Sequence, residues 1–190
     1  VVDPFGEVTR FYQPQCLRQV FNVKAVTMRR KPVMQDIFSG HQGHWNLSAV
    51  PKEGSIYNAL QTKFGNIVGV HMPHSMCSRL GCYVSIRKSK EGIAKQVGHA
   101  AMLESPFFQW VVVVDEDINV FSERDVIWAL VSNTDPSRDI DLLKNSFLLF
   151  NTAAGFQKIV IDATAPLDYP FPEKFKVPDE VMNAINPEEW

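Results

Sequence analysis

The run Trp110–Val114, followed at once by Asp115, Glu116 and Asp117, constrains the fold most. Side chains alternate across a strand, so four consecutive valines place apolar groups on both faces and both must be covered. Such a run, closed by polar residues and a helix start, is the pattern of a central strand in a parallel sheet. Ser122 supplies the helix start as N-cap, with Asp125 three positions on in a carboxylate variant of the capping box. This helix is predicted to bury Val126, Ile127, Ala129 and Leu130 and to stop near Asp135 and Pro136. The three acids admit two readings. Carboxylates at the carboxyl end of a parallel strand can face a ligand crevice and hold Mg²⁺ or Mn²⁺. Alternatively, they end the strand in water, ahead of a helix N-terminus that favours negative charge. Adjacent side chains point to opposite faces, which sets three consecutive acids against sharing one ion and favours the second reading.

Around this strand, elements alternate. NIVGVHM (66–72), CYVSIRK (82–88), Phe147–Phe150 and Lys158–Ile161 read as strands, and GIAKQVGHAAML (92–103) as a helix closed by Ser105 and Pro106. In GSIYNALQTKFG, Ile56, Ala59, Leu60 and Phe64 have helical spacing and Gly65 is a plausible C-cap. Alternation of strand and helix beyond residue 51 predicts an open α/β layer. Residues 17–38 carry short apolar runs around Lys31 and Pro32, which predicts two strands joined by a turn. SGHQGHWNLSAVP then reads as a loop, with a boundary near residue 51. The tail 166–190, whose stretch DYPFPEKFKVPDEVMNAINPEEW holds four prolines and one short helical segment, is expected to lie extended over a neighbour.

The formal charge of -2 and a pI ≈ 6.2, with scattered Lys and Arg, argue against a nucleic acid partner or an anionic membrane surface. No apolar run approaches the roughly 18 residues that cross a bilayer, so no stable membrane insertion is expected. Cys16, Cys77 and Cys82 cannot all pair, which fits a reducing, cytoplasmic setting. The opening VVDPFGE, without an initiator Met, suggests a piece of a longer protein. His71, His74 and Cys77, with His41 and His44, invite a zinc reading. No paired CxxC cluster supports it, and a surface loop is favoured. In DPFGEVTRFY, Pro4 and Gly6 bend the chain and set Glu7 at the edge of the bend, a place suited to proton delivery as well as to an ordinary surface carboxylate. The loop His41–Trp45 and the stretch Phe107–Trp110 are candidates for lining a pocket.

PFGEVTRFY, VVVVDEDINVFSERDVIWAL, NTDPSRDID and KIVIDAT, in this order and at these distances, resemble the UbiD-like decarboxylases, which include the 3-polyprenyl-4-hydroxybenzoate and ferulic acid decarboxylases. The resemblance covers about residues 1–165 and is most specific over 111–139. It implies an α/β chain in three parts. Residues 1–50 would be the end of a split β-barrel cofactor-binding domain, 51–165 a Rossmann-like C-terminal oligomerisation domain, and 166–190 an extended tail. The implied activity is reversible, non-oxidative decarboxylation of an aromatic or α,β-unsaturated carboxylic acid. The implied cofactors are prenylated FMN with Mn²⁺ or Mg²⁺ and K⁺ at its phosphate, and the implied partners are that small-molecule acid and further copies of the chain. By motif match Glu7 is the acid that protonates the product.

Three departures accompany the resemblance. A Glu usual five residues before the proton donor is replaced by Val2, with Asp3 beside it. Arg10 stands where a small Gly is common, and a guanidinium close to Glu7 would favour the carboxylate over the acid. Leu103–Trp110 lacks the Lys that reaches the cofactor in some members. The Arg partner and the metal and phosphate ligands lie upstream of the PFGE motif in family members, so no metal ligand is expected in this chain, and alone it is expected to be inactive. A non-catalytic oligomerisation or interaction module of the same fold is the alternative.

Overall fold

A computed structural model describes residues 1, 3–147 and 157–186. The valine run forms β5 (Trp110–Asp115), the middle strand of a five-stranded sheet. Its neighbours, from one edge to the other, are β3 (Ile67–His71), β4 (Gly81–Ile86), β5, β7 (Lys158–Asp162) and β6 (Ile140–Leu143). β1 (Phe5–Gly6) and β2 (Tyr12–Gln13) form a separate antiparallel hairpin. β4, β5 and β7 run parallel, whereas β3 and β6 close the edges antiparallel. The chain is thus α/β with a mixed sheet, parallel only in its buried centre.

The two faces of β5 seat two cores. Val111 and Val113 pack with Ala49, Ile56 and Leu60 of α1 (Gln42–Phe64) and Ala94, Val97 and Ala101 of α2 (Ile93–Leu103). Val112 and Val114 pack with Val126 and Ala129 of α3 (Glu123–Asn133). Each of the four valines is at most 1% exposed, a burial that stabilises the fold by roughly 1.5–3 kcal/mol per side chain. α4 (Pro136–Asp139) leads into β6, and α5 (Asp179–Asn183) is the short helix of the tail. Among the described residues no helix is long and apolar enough to cross a membrane.

The termini of the helices follow the residues that sequence marks. Ser122 Oγ accepts from the Asp125 backbone N–H, and Gly65 closes α1 with φ 72, a left-handed conformation that suits a residue without Cβ. Other segments differ from expectation. The stretch read as a loop, 39–51, is helical from Gln42 onward, so residue 51 lies inside α1 and not at its start. His41 caps it, and Pro51 is accommodated within the helix, where Ser55 Oγ donates to the Pro51 carbonyl at 3.0 Å. Residues 17–38, read as two strands, form neither: Leu17, Val20, Phe21, Val26 and Met34 are all more than two-thirds exposed. Their apolar pattern suits a sheet, but a strand needs a partner backbone to complete its hydrogen bonds. Ile127, expected in the core, is exposed, and Leu130 is only half-buried. β6 was not expected. Of the strand read at Phe147–Phe150, Phe147 is exposed coil and 148–150 lie outside the described residues.

α2 sits close on the sheet because Gly98 has no side chain. A Cβ there would meet Val160 Cγ1 at 2.4 Å and Val113 Cγ2 at 3.3 Å. Gly98→Ala gains about 1 kcal/mol of helix propensity but forces these β-branched side chains aside. A net loss of about 1–3 kcal/mol in urea unfolding is expected.

Candidate functional site

The hairpin β1–β2 holds Glu7 through a tight turn. Glu7 N–H donates to Phe11 O at 3.0 Å, and Arg10 N–H donates to Glu7 O at 2.9 Å. The turn puts Arg10 at φ 67, a left-handed conformation costing a non-glycine residue roughly 1–2 kcal/mol, so a glycine would sit there with less strain. Gly40, also left-handed at φ 71, closes on this turn; a Cβ on it would lie 2.9 Å from Arg10 Cγ and 3.2 Å from Glu7 O. The start of α1 is locked to the hairpin by buried Trp45, whose indole N–H donates to Val8 O at 2.9 Å. Gly40 N–H donates to His44 Nδ1 at 3.3 Å.

These contacts build an open cleft of ≈ 370 Å³ lined by Glu7, Arg10, Tyr12, Phe38, Gly40 and His41. Glu7 is half-buried there, and its Oε2 accepts from the Val8 backbone N–H at 3.1 Å. Arg10 does not pair with it among the described residues. Its Nε donates to Gly40 O at 3.2 Å, and its guanidinium lies over the Trp45 ring, 4.7 Å from the centroid. The expectation of a cation set against Glu7 is therefore modified: the Arg10 side chain is spent on positioning the turn and α1. Val2 lies outside the described residues, and Asp3 is exposed.

The acid triplet has three separate partners. Asp115 Oδ2 accepts from Ala165 N–H at 2.7 Å, Glu116 pairs with Arg87 at 3.0 Å, and Asp117 pairs with Lys174 at 2.6 Å. Lys88, almost wholly buried, donates to Ala165 O at 2.9 Å and pairs with Glu91 at 3.0 Å. Glu91 in turn accepts from Leu167 N–H. Backbone following β7 thus fills the crevice at the carboxyl ends of the parallel strands, the usual place for a ligand in an open α/β sheet. Burial pushes the Asp115 carboxyl above the ordinary range, against the Ala165 N–H that favours its ionised form.

The histidines do not converge either. His71 Nδ1 pairs with Glu53 at 2.9 Å, the same carboxylate oxygen accepting from Met72 N–H at 2.7 Å, while His74 Nε2 bonds Asn46 at 2.8 Å. His41 caps α1. Among the described residues no three His, Cys, Asp or Glu side chains gather around one point, so they do not fit Mn²⁺, Mg²⁺ or zinc. Burial pushes the Cys82 thiol up, as suits a core residue. Of Phe107–Trp110, Phe108 is core, Trp110 is part-exposed, and Phe107 lines a second pocket with Arg79.

Residues 46–163 match the family model of the 3-octaprenyl-4-hydroxybenzoate carboxy-lyase C-terminal domain. The chain belongs to this UbiD family. It is 31% identical over 144 residues to the protein in the cooM 5′ region of Rhodospirillum rubrum, a match covering 76% of this chain and 31% of that protein. The UbiD-class enzyme HmfF from Pelotomaculum thermopropionicum, solved in complex with FMN, superposes with a TM-score of 0.90 at 31% identity, over 98% of this chain and 43% of the other. An evolved dimeric form of HmfF in complex with prFMN gives 0.84 at 32% identity, covering 98% and 40%. The UbiD-family chain therefore spans about a third of the curated relative and less than half of these enzymes. Sequence reasoning did not single out Glu53, Gly40 or Arg79. The first is distant in sequence from its partner, the second is one glycine among ten, and the third has no motif around it.

Asp115 provides a test of the structural role of the triplet. Its folded-state pKa is raised, so the carboxyl favours the folded state below the unfolded value, and that advantage is lost as pH rises through the raised folded value. Asp115→Asn keeps an acceptor for Ala165 and does not ionise. In denaturant titrations it is expected to gain on the native protein as pH rises from about 4 to 7. Asp115→Ala, which strands the Ala165 N–H, is expected to cost about 1–2 kcal/mol.

Proposed function

We propose that this chain is part of a UbiD-class decarboxylase that reversibly and non-oxidatively removes the carboxyl group of an aromatic or α,β-unsaturated acid, with Glu7 as proton donor. The observation that carries the assignment is the Glu7 carboxyl in the cleft beside Arg10 and His41, one oxygen held by the Val8 N–H at 3.1 Å. Loss of CO₂ breaks a carbon–carbon bond and leaves its electron pair on the substrate carbon. The Glu7 O–H delivers a proton to that pair and becomes a carboxylate, the form that the Val8 N–H stabilises. In the reverse direction the Glu7 carboxylate takes the proton from carbon. Oε1 has no hydrogen bond among the described residues, which leaves it to carry the proton into the open cleft.

The flavin-bearing relatives support prenylated FMN as cofactor, which when bound supplies the electron sink for cleavage. The residues described here do not fit its phosphate and ions: they gather no metal ligand set, and the guanidinium in the cleft is engaged by Gly40 and Trp45. Those groups belong, in this reading, to another part of the protein, with 1–50 contributing to a split barrel, 51–165 forming the Rossmann-like domain, and 166–190 lying over a neighbour. Exposed Ile127, Trp128 and Val131 on α3 support self-association.

In the intact, flavin-loaded protein Glu7→Gln is expected to abolish both decarboxylation and exchange of the product's vinylic or aromatic hydrogen with deuterium from solvent, a loss of at least about 10²–10⁴-fold. Exchange at the unmodified rate in that variant excludes Glu7 from the proton step.

A further inference from the structure

A second pocket lies farther along α1, between the first half of that helix and the segment ahead of β5. Ser48 and Lys52 of α1, Met72 after β3, Arg79, and Ser105 and Phe107 ahead of β5 enclose ≈ 170 Å³. Its composition is polarised: two cations and two hydroxyls line it, together with Met72, Pro106 and Phe107, and among the described residues no carboxylate does. Glu53, next to Lys52 in the chain, is turned to His71 and the Met72 N–H. Lys52 has no hydrogen bond or ion pair among the described residues. Arg79 is stacked on Phe107, its Cζ 4.0 Å from the ring centroid, and its Nε is shielded from water without a hydrogen-bond partner among the described residues.

This arrangement is unfavourable without a ligand. A solvent-shielded guanidinium N–H that makes no hydrogen bond carries a desolvation cost, and a second cation on the same pocket adds repulsion. An anion between the two cations offsets the repulsion and compensates the charge of the shielded guanidinium. Stacking on Phe107 fixes the plane of the Arg79 guanidinium at the pocket wall, and a planar guanidinium held in place presents its terminal N–H groups as the fork that binds carboxylates and phosphates. We infer that the pocket between Lys52 and Arg79 binds a small oxyanion, a carboxylate or a phosphate group, with the Ser48 and Ser105 hydroxyls available as further donors. The pocket's volume admits a group of that size and little beyond a single ring. It shares no lining residue with the Glu7 cleft, so the inference stands apart from the proton-donor assignment.

Isothermal titration of the intact protein at fixed ionic strength, with inorganic phosphate in one arm and benzoate in the other, tests it. Saturable binding of either anion is expected, weakened at least tenfold by Lys52→Met and by Arg79→Met. Preference for benzoate identifies a carboxylate site, and preference for phosphate a phosphate site. Lys52 is a half-buried residue on the side of a helix, so K52M is expected to fold and keeps the test decisive if R79M does not. Arg79→Lys, which keeps the charge without the planar fork, is expected to weaken binding less than R79M. Glu7→Gln is expected to bind the anion as the native protein does, which separates this result from any failure of the decarboxylase reading. Absence of saturable binding at millimolar phosphate and benzoate, or equal affinity in native and K52M proteins, overturns the assignment.

Discussion

The two-sided burial of β5 is the constraint on which the rest depends. A strand with valine at four successive positions has no face to offer water, so the chain must supply helices on both sides: α1 and α2 against Val111 and Val113, α3 against Val112 and Val114. Once those helices are seated, β4 and β7 are fixed as parallel neighbours, and the strand's polar end emerges where the three acids meet the chain returning from β7. The question of why so apolar a strand runs into three carboxylates has a structural answer. Each acid holds a different part of the molecule: the backbone at Ala165, the Arg87 side chain after β4, and the Lys174 side chain in the tail.

The elements legible in the sequence were those whose stability is local or whose burial is extreme. β5, α2, α3 with its Ser122 cap, and the Gly65 stop of α1 all belong to that set, because periodicity and caps act over a few residues. The first half of α1 was hidden by Gly43, Pro51 and Gly54, each of which ordinarily punctuates a loop; packing of Trp45 and Ala49 overrides that preference. Ile127 has the right chemistry for the core but a position on the far side of α3, where nothing described covers it. In 17–38 the apolar pattern suggested two strands that the structure does not form: strand formation is a property of pairs, and no backbone among the described residues pairs with these.

The cleft was legible only through its motif. PFGE points to Glu7, but nothing in the spacing shows that Arg10 reaches to Gly40 and Trp45, or that Gly40 must lack a side chain to let it do so. The strain at Arg10 and the close approach of Gly40 are two halves of one feature: a turn that carries an unusual residue, braced by the helix behind it. The pocket of Lys52 and Arg79 left even less trace, since those residues meet only through tertiary packing.

α1 is also a mechanical object. Its 23 residues make a rod about 35 Å long, seated on the sheet through Ile56 and Leu60 and clamped at its far end to the Glu7 hairpin through Trp45. A tilt of about 3° at Ile56, roughly 17 Å along the axis from Trp45, moves the hairpin end by about 0.9 Å, roughly twice the ~0.5 Å tolerance of a precisely positioned side chain. The position of the Glu7 hairpin is therefore coupled by leverage to aliphatic side chains more than a dozen ångströms distant, and a methyl group lost at Ile56 would shift it without touching the cleft.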